Sequence, residues 1–353
     1  MFCTLYVGND TIKLCLLILF ISFGTCYAQQ VPVSQYFVLP INVNPALIGS
    51  STHPLIATHH RSQWNTFSNA YPIYSASLTY PIIQKYPRRS IKGGLGLKFS
   101  REVAGAKAWL KFNEIQIAGA YNLPLDYKQQ HVISFGIATS LIQRSIDPDN
   151  LQWGSQYDSE YGYDPNIVPS LNLMRQGLVY VTTEAGAVWS YNAFKNQLLS
   201  PWQWLGGISI AHMNRPDISF TNLENRLPLL LKWHTGISYA HNNWKVHPQT
   251  IMLWQDTNYH LSIGSYFQYE VLQATVRKKH KTILMGGLWY RWDDAIAVSG
   301  GVLYNNLQFA FSADFSHHPT INYSSTGYAW EASLIYTLKS HNQLTKKRYT
   351  PLI

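Results

Sequence analysis

HVISFGIATSLIQR, residues 131–144, is the stretch on which the reading of this chain turns. Ile133, Phe135, Ile137 and Leu141 fall on one face of an extended strand; Ser134, Gly136, Ala138, Ser140 and Arg144 fall on the other. Successive side chains on a strand point to opposite faces, so a period of two marks a strand with one apolar face and one polar or small face. The same writing recurs at 91–100, IKGGLGLKFS, where Ile91, Leu95, Leu97 and Phe99 alternate with Lys92, Gly94, Gly96, Lys98 and Ser100. It returns in LQFAFSAD at 307–314, and in WEASLIYTL, where Trp330, Leu334, Tyr336 and Leu338 oppose Glu331, Ser333 and Thr337.

Working outward from these segments predicts fourteen strands: 55–64, 71–82, 92–102, 112–123, 131–145, 178–192, 203–215, 231–242, 247–257, 258–275, 281–292, 295–304, 307–314 and 328–338. Most reach the roughly 9–11 residues that a tilted strand needs to cross a bilayer. No helical period is sustained beyond two turns, and no linker divides the chain. Composition agrees: the sequence holds 14 Phe, 12 Trp and 24 Tyr, while only 13% of residues are charged. Beyond the leader, no apolar run approaches the roughly 20 residues of a spanning helix. Strands cross a membrane with half their residues polar, so a transmembrane β-barrel fits. A soluble β-sandwich shares the composition, and the length and number of the alternating segments favour the barrel.

The leader bears on the compartment. Residues 14–23, LCLLILFISF, form a short apolar run behind Lys13, and GTCYA follows with small residues at Cys26 and Ala28. This is the writing of a secretory signal peptide over residues 1–28, too short to span as a stable helix. A lipoprotein signal with Cys26 as the modified residue is the rival, and Thr25 and Phe23 suit it poorly. All three cysteines, Cys3, Cys15 and Cys26, lie inside the leader. A chain processed after Ala28 would have no disulfide, no thiolate zinc site and no cysteine nucleophile. Its formal charge would stay at +9, because Lys13 and Asp10 leave together.

An even strand count puts both chain ends on one side, the periplasmic side for an exported barrel. Alternating the connections from there places QKYPRRS (84–90), RKKHK (277–281) and the tail KKRY (346–349) at that side. The predicted periplasmic rim is therefore basic: Arg88, Arg89, Arg277, Lys278, Lys279, Lys346, Lys347 and Arg348. The longest connection, about 146–177, falls outside and carries Asp147, Asp149, Asp158, Glu160 and Asp164 against Arg175 alone. Short turns on one side and long loops on the other are usual for bacterial barrels. A basic rim suits acidic partners or anionic lipid head groups, or is simply a solvated edge; export and scattered basic residues speak against nucleic acid.

Between leader and first strand stands SQYFVLPINVNPALIGS, residues 34–50. Its two prolines predict an extended, turn-capped strip rather than a helix. This strip, HRSQW at 60–64 and YSASLTYP at 74–81 closely resemble the start of the PorP/SprF family of outer-membrane proteins of Bacteroidetes type IX secretion and gliding. The matching residues are Ser34, Gln35, Tyr36, Pro40, Asn44, Pro45, Ala46 and Gly49, then Arg61, Gln63, Trp64 and Ser77. GGLGLKFS, LGGISIAHMNRP at 205–216 and GGLWYRWDDAIAVSGG at 286–301 extend the resemblance over nearly the whole chain. The resemblance implies an antiparallel barrel of about fourteen strands in the outer membrane, acting without catalysis or cofactor in the export or anchoring of secreted proteins such as adhesins. Its implied partners are type IX secretion components, cargo C-terminal domains and membrane lipid. A passive porin is the alternative. The predicted organisation is a removed signal peptide, 1–28; an N-terminal strip, 29–53, packed at the periplasmic mouth or in the lumen; a barrel, 54–339; and a basic periplasmic tail, 340–353. Lumen side chains such as Gln116, Glu184 and Gln268 are expected to bond the backbone of the strip.

Other chemistry finds little support. Gly93, Gly94 and Gly96 lie within strand alternation with no helix behind them, so inward glycines that make room are favoured over a phosphate loop. His59 and His60 are adjacent on a strand and should diverge rather than share a metal. His317 and His318 have only Asp314 near them in sequence. No G-x-S-x-G elbow occurs, and Asp147, Asp149 and Asn150 lack calcium-loop spacing around Pro148. Trp202, Trp204, Trp289 and Trp292 are expected to form an interfacial girdle.

Overall fold

A computed structural model of the chain describes residues 33–338, apart from 37, 64–70, 85–89, 106–108, 128, 148–153, 159, 161, 165, 168–175, 193–200, 222, 273–280 and 317–327. The alternating segments form strands β1 (Leu55–Gln63), β2 (Tyr71–Gln84), β3 (Ser90–Ala104), β4 (Leu110–Pro124), β5 (His131–Ile146), β6 (Gly177–Tyr191) and β7 (Trp202–Ala211). The second half supplies β8 (Leu230–His241), β9 (Trp244–Gln255), β10 (Asn258–Leu272), β11 (Thr282–Arg291), β12 (Ala295–Tyr304), β13 (Leu307–Ser316) and β14 (Tyr328–Thr337). Each pairs antiparallel with its neighbours in sequence, and β1 closes on β14 from Leu55↔Thr337 to Gln63↔Ala329. Closure leaves no sheet edge, which is the condition for a β-structure to lie in lipid.

The polarity of the wall is the reverse of a soluble protein's. In β5, Val132, Ser134, Gly136, Ala138 and Ser140 face inward and are buried, while Phe135, Ile137 and Leu141 face outward. Ile137 is 71% exposed, Ile117 65% and Leu288 60%, and the outer face repeats this around the barrel. Each such side chain in water would forgo roughly 1.5–3 kcal/mol of burial, so a belt of them calls for hydrocarbon as solvent.

Most strand boundaries shift by one or two residues from expectation; among the described residues two shift further, and backbone geometry explains both. The seventh strand stops at Ala211 because His212 and Arg215 take φ of 61° and 43°. The ninth begins at Trp244, not 247, because Asn242 (φ 51°) and Asn243 make a two-residue hairpin. Positive φ suits such tight hairpins and is tolerated by Asn and Asp.

The two ends of the barrel differ in sequence. Connections 85–89, 125–130, 192–201, 242–243, 273–281 and 305–306, with the stretch after Thr337, carry thirteen Lys or Arg against Asp126 alone. Connections 64–70, 105–109, 147–176, 212–229, 256–257, 292–294 and 317–327 leave from the opposite end and carry ten Asp or Glu against four Lys or Arg. We call these the basic end and the acidic end.

Candidate functional site

The segment ahead of β1 runs through the lumen. It joins Leu55 at the basic end, and its first described residues lie near the acidic end, beside Arg61, Asp314 and Glu331. It is not the extended strip expected from its prolines. Pro40–Val43 forms one helical turn and Pro45–Ser50 a 3-10 helix. Each proline opens its helical piece, where the missing N–H is not needed and the fixed φ helps. Asn44 joins the two pieces: its Oδ1 accepts from the Ala46 N–H at 2.9 Å, capping the 3-10 helix. Its Nδ2 donates to the carbonyls of Ile208 (2.9 Å) and Ala187 (3.2 Å), which ties the cap to β7 and β6.

Near the acidic end the segment is held by charge. The Ser34 and Gln35 N–H groups donate to the two oxygens of Glu331, at 2.7 and 2.9 Å. Arg61 pairs with Glu331 and, at 2.6 Å, with Asp314; Arg291 pairs with Asp314 at 2.9 Å. The Ser34 hydroxyl donates to Asp314 at 2.8 Å and accepts from Arg291 at 3.0 Å. Gln35 bridges Ser312 and Ser333, and Tyr266 donates to the Ser34 carbonyl at 3.2 Å. Glu331 is 0% exposed and Arg61 and Asp314 each 1%, so these charges are fully out of water. Two arginines against two carboxylates balance, which is the condition for burying charge at tolerable cost. Tyr36 packs on Trp289 at 5.7 Å between ring centres and meets His260 at 3.2 Å.

Midway, Asn42 is gripped from two walls. Lys98 donates to its Oδ1 at 2.9 Å and Lys232 to its carbonyl at 2.8 Å. Each lysine is backed by its own carboxylate at 2.8 Å, Glu114 for Lys98 and Glu184 for Lys232. Beyond Asn44 the hold becomes steric. Gly94 lies against Ile48, Gly96 against Ile48 and Ile41, Gly136 against the backbone of Pro45 and Ala46, and Gly186 against Asn44. Asn122 closes the seat by donating to the Gly49 carbonyl at 2.7 Å.

Of the residues singled out in the sequence, Ser34, Gln35, Tyr36, Asn44, Pro45, Ala46 and Gly49 are all buried here, and Pro40 opens the helical turn. Arg61 sits at the centre of the charge cluster, with Gln63 accepting from it at 3.4 Å. Trp64 and all eight rim residues, Arg88, Arg89, Arg277, Lys278, Lys279, Lys346, Lys347 and Arg348, lie outside the described residues. The expected lumen partners need correction. Glu184 reaches the segment only through Lys232, Gln116 Oε1 has no partner among the described residues, and Gln268 lies opposite Lys245. The backbone is held instead by Glu331 at its N–H groups and by Tyr266, Lys232, Ser209 and Asn122 at its carbonyls. Glu331, Asp314, Arg291, Lys98 and Lys232 were missed. Their signal was there: each is an ionisable residue within a membrane strand, which marks a site by default. Trp289 also departs from the girdle. Trp202, Trp204 and Trp292 are exposed, but Trp289 is 1% exposed and packs inward, because odd positions of β11 face the lumen. His59 bonds Glu331 inside at 3.2 Å, while His60 stacks outside on Tyr74. Among the described residues no group of three His, Cys, Asp or Glu is placed to hold a metal.

A lumen threaded by its own N-terminal segment raises the question of kinship. The family model described as type IX secretion system membrane protein PorP/SprF matches residues 25–336. The chain belongs to the PorP/SprF family. Comparison with curated proteins finds none that matches. Among solved structures the chain is similar to the toluene transporter TbuX of Ralstonia pickettii, with TM-score 0.51 and 10% identity over 86% of this chain and 94% of that one. It is also similar to the CymD monoaromatic hydrocarbon channel, with TM-score 0.46 and 10% identity over 90% and 96%. At such identity the likeness to TbuX shows the fold. Family and fold make this PorP/SprF member an outer-membrane barrel and a membrane component of type IX secretion.

Proposed function

We propose that this PorP/SprF protein is a non-enzymatic docking barrel that anchors or hands on a secreted or surface protein, such as an adhesin, during type IX secretion. The observation that carries the reading is the occupied lumen: residues 33–50 cross it and are held by balanced buried charges at one end and glycine-lined contacts at the other. A segment held in this way narrows the lumen, where a passive porin keeps a water-filled channel. In this reading residues 1–28 are removed on export and the basic end faces the periplasm. Its rim, with Arg88, Arg89, Arg277, Lys278, Lys279, Lys346, Lys347 and Arg348, meets acidic partner surfaces.

Purification from native membranes tests this directly. The expected result is copurification with secretion components or cargo, together with low conductance in planar bilayers. Deleting residues 33–50 should raise that conductance severalfold. High conductance of the intact barrel, without a copurifying partner, would instead establish the porin reading.

A further inference from the structure

The 3-10 helix of the N-terminal segment is turned away from the lumen wall formed by β8 and β9. The 3-10 helix packs on β2–β6, and a small cavity lies between Leu47 and the wall that carries His234, Gly236, Gln249 and Ile251. Next to that cavity, toward the basic end, the inward positions of β8 and β9 are Ser238, His247 and Lys245, with Gln203 opposite Ser238 on β7. All four are buried; Lys245 is 6% exposed. Yet among the described residues Lys245 Nζ, Ser238 Oγ, His247 Nε2 and Gln203 Oε1 have no hydrogen-bond partner.

An ammonium group out of water needs a counter-charge. The other two buried lysines show the rule, since Lys98 has Glu114 and Lys232 has Glu184. Lys245 breaks it. Its charged neighbour is Lys281, another cation. Glu270 stands at the rim, two residues beyond the Gln268 that faces Lys245 in register, and has interactions of its own. Asp126 is the sole acidic side chain in the connections of this end, and it accepts from the His131 N–H. Among the described residues, the barrel thus gathers donors around a buried cation and supplies no anion to them.

We propose that Lys245, with Ser238 and His247, forms an oxyanion site inside the basic mouth of the barrel, taking one carboxylate or phosphate group brought from outside the chain. Lys245 supplies the charge, the Ser238 hydroxyl supplies a directional donor, His247 Nε2 supplies a second in the tautomer that carries its N–H there, and the basic rim draws the anion in.

Titration calorimetry of the full-length barrel in detergent, at constant ionic strength, tests this with inorganic phosphate, acetate and chloride as probes. Phosphate, acetate or both should bind saturably at one site per chain, and which of them binds names the group the site takes. Lys245→Met should weaken that binding by about ten-fold or more, and Ser238→Ala by about three-fold or more, the scale of a lost charged or neutral hydrogen bond. Lys281→Gln, at the rim, should change it by less than about three-fold. Lys245→Met removes an unpaired buried charge and should melt no lower than the parent; should it fail to fold, Ser238→Ala decides alone. The proposal is overturned if neither oxyanion saturates, if chloride binds equally well, or if Lys281→Gln weakens binding as much as Lys245→Met does.

Discussion

The two ends of the lumen segment are held by opposite kinds of chemistry. Around Ser34 and Gln35, Glu331 and Asp314 are balanced by Arg61 and Arg291, and every contact is directional. Around Asn44–Gly49, the wall offers Gly94, Gly96, Gly136 and Gly186, and what matters is the space those residues leave empty. An electrostatic hold is broken by unbalancing charge and forgives a change that removes both signs together. A steric hold is indifferent to charge and fails when atoms are added.

Glu331→Leu should have the largest effect. It leaves Arg61 to share Asp314 with Arg291 and deprives two backbone N–H groups of their acceptor, and a broken buried pair costs about 3–5 kcal/mol. The urea midpoint of the refolded barrel should fall accordingly, and Arg61→Met combined with Glu331→Leu should restore most of the loss. If the double variant is as unstable as the single one, directional bonding to Ser34 and Gln35 outweighs charge balance. Gly136→Val comes next. Its side chain would meet the backbone of Pro45 and Ala46, and overpacking of this kind costs about 1–3 kcal/mol. Protease sensitivity of residues 33–50 should rise in step. Gly206→Ala is the control, since Thr235 Oγ1 at 3.6 Å is the nearest atom a Cβ there would meet, and the melting temperature should not move. Asn44→Ala sits between the two regimes. It loses one cap and two wall bonds, together about 1–2 kcal/mol, and a thermal melt should show a smaller shift than for Gly136→Val.

Much of the barrel was legible because a strand declares its faces locally. Ile133, Phe135 and Ile137 read as one face in isolation, and they are the lipid face of β5. The lumen segment was less legible. Its motif residues stood out, but Pro40 and Pro45 suggested extension because position within a helical turn, not proline itself, decides whether a helix is broken. The partners were harder still. Glu331 lies 297 residues from Ser34, and nothing local to either names the other. Trp289 illustrates the same limit from within a strand. Its place near a strand end suggested the girdle, and only the parity of β11 turned it inward onto Tyr36.

By itself the sequence determined the strands, their number, which residues of most of them would face lipid, and the charge difference between the barrel's ends. These follow from alternation and from connection order, both of which are written along the chain. The tertiary structure alone decided what fills the barrel: the path of residues 33–50, the pairing of Arg61 and Arg291 with Glu331 and Asp314, and the glycines that admit Ala46 and Ile48. Closure is the physical reason. Rolling the sheet brings residues from strands hundreds of positions apart to face one another across a few ångströms, and no local pattern encodes a distance that exists only once the last strand has met the first.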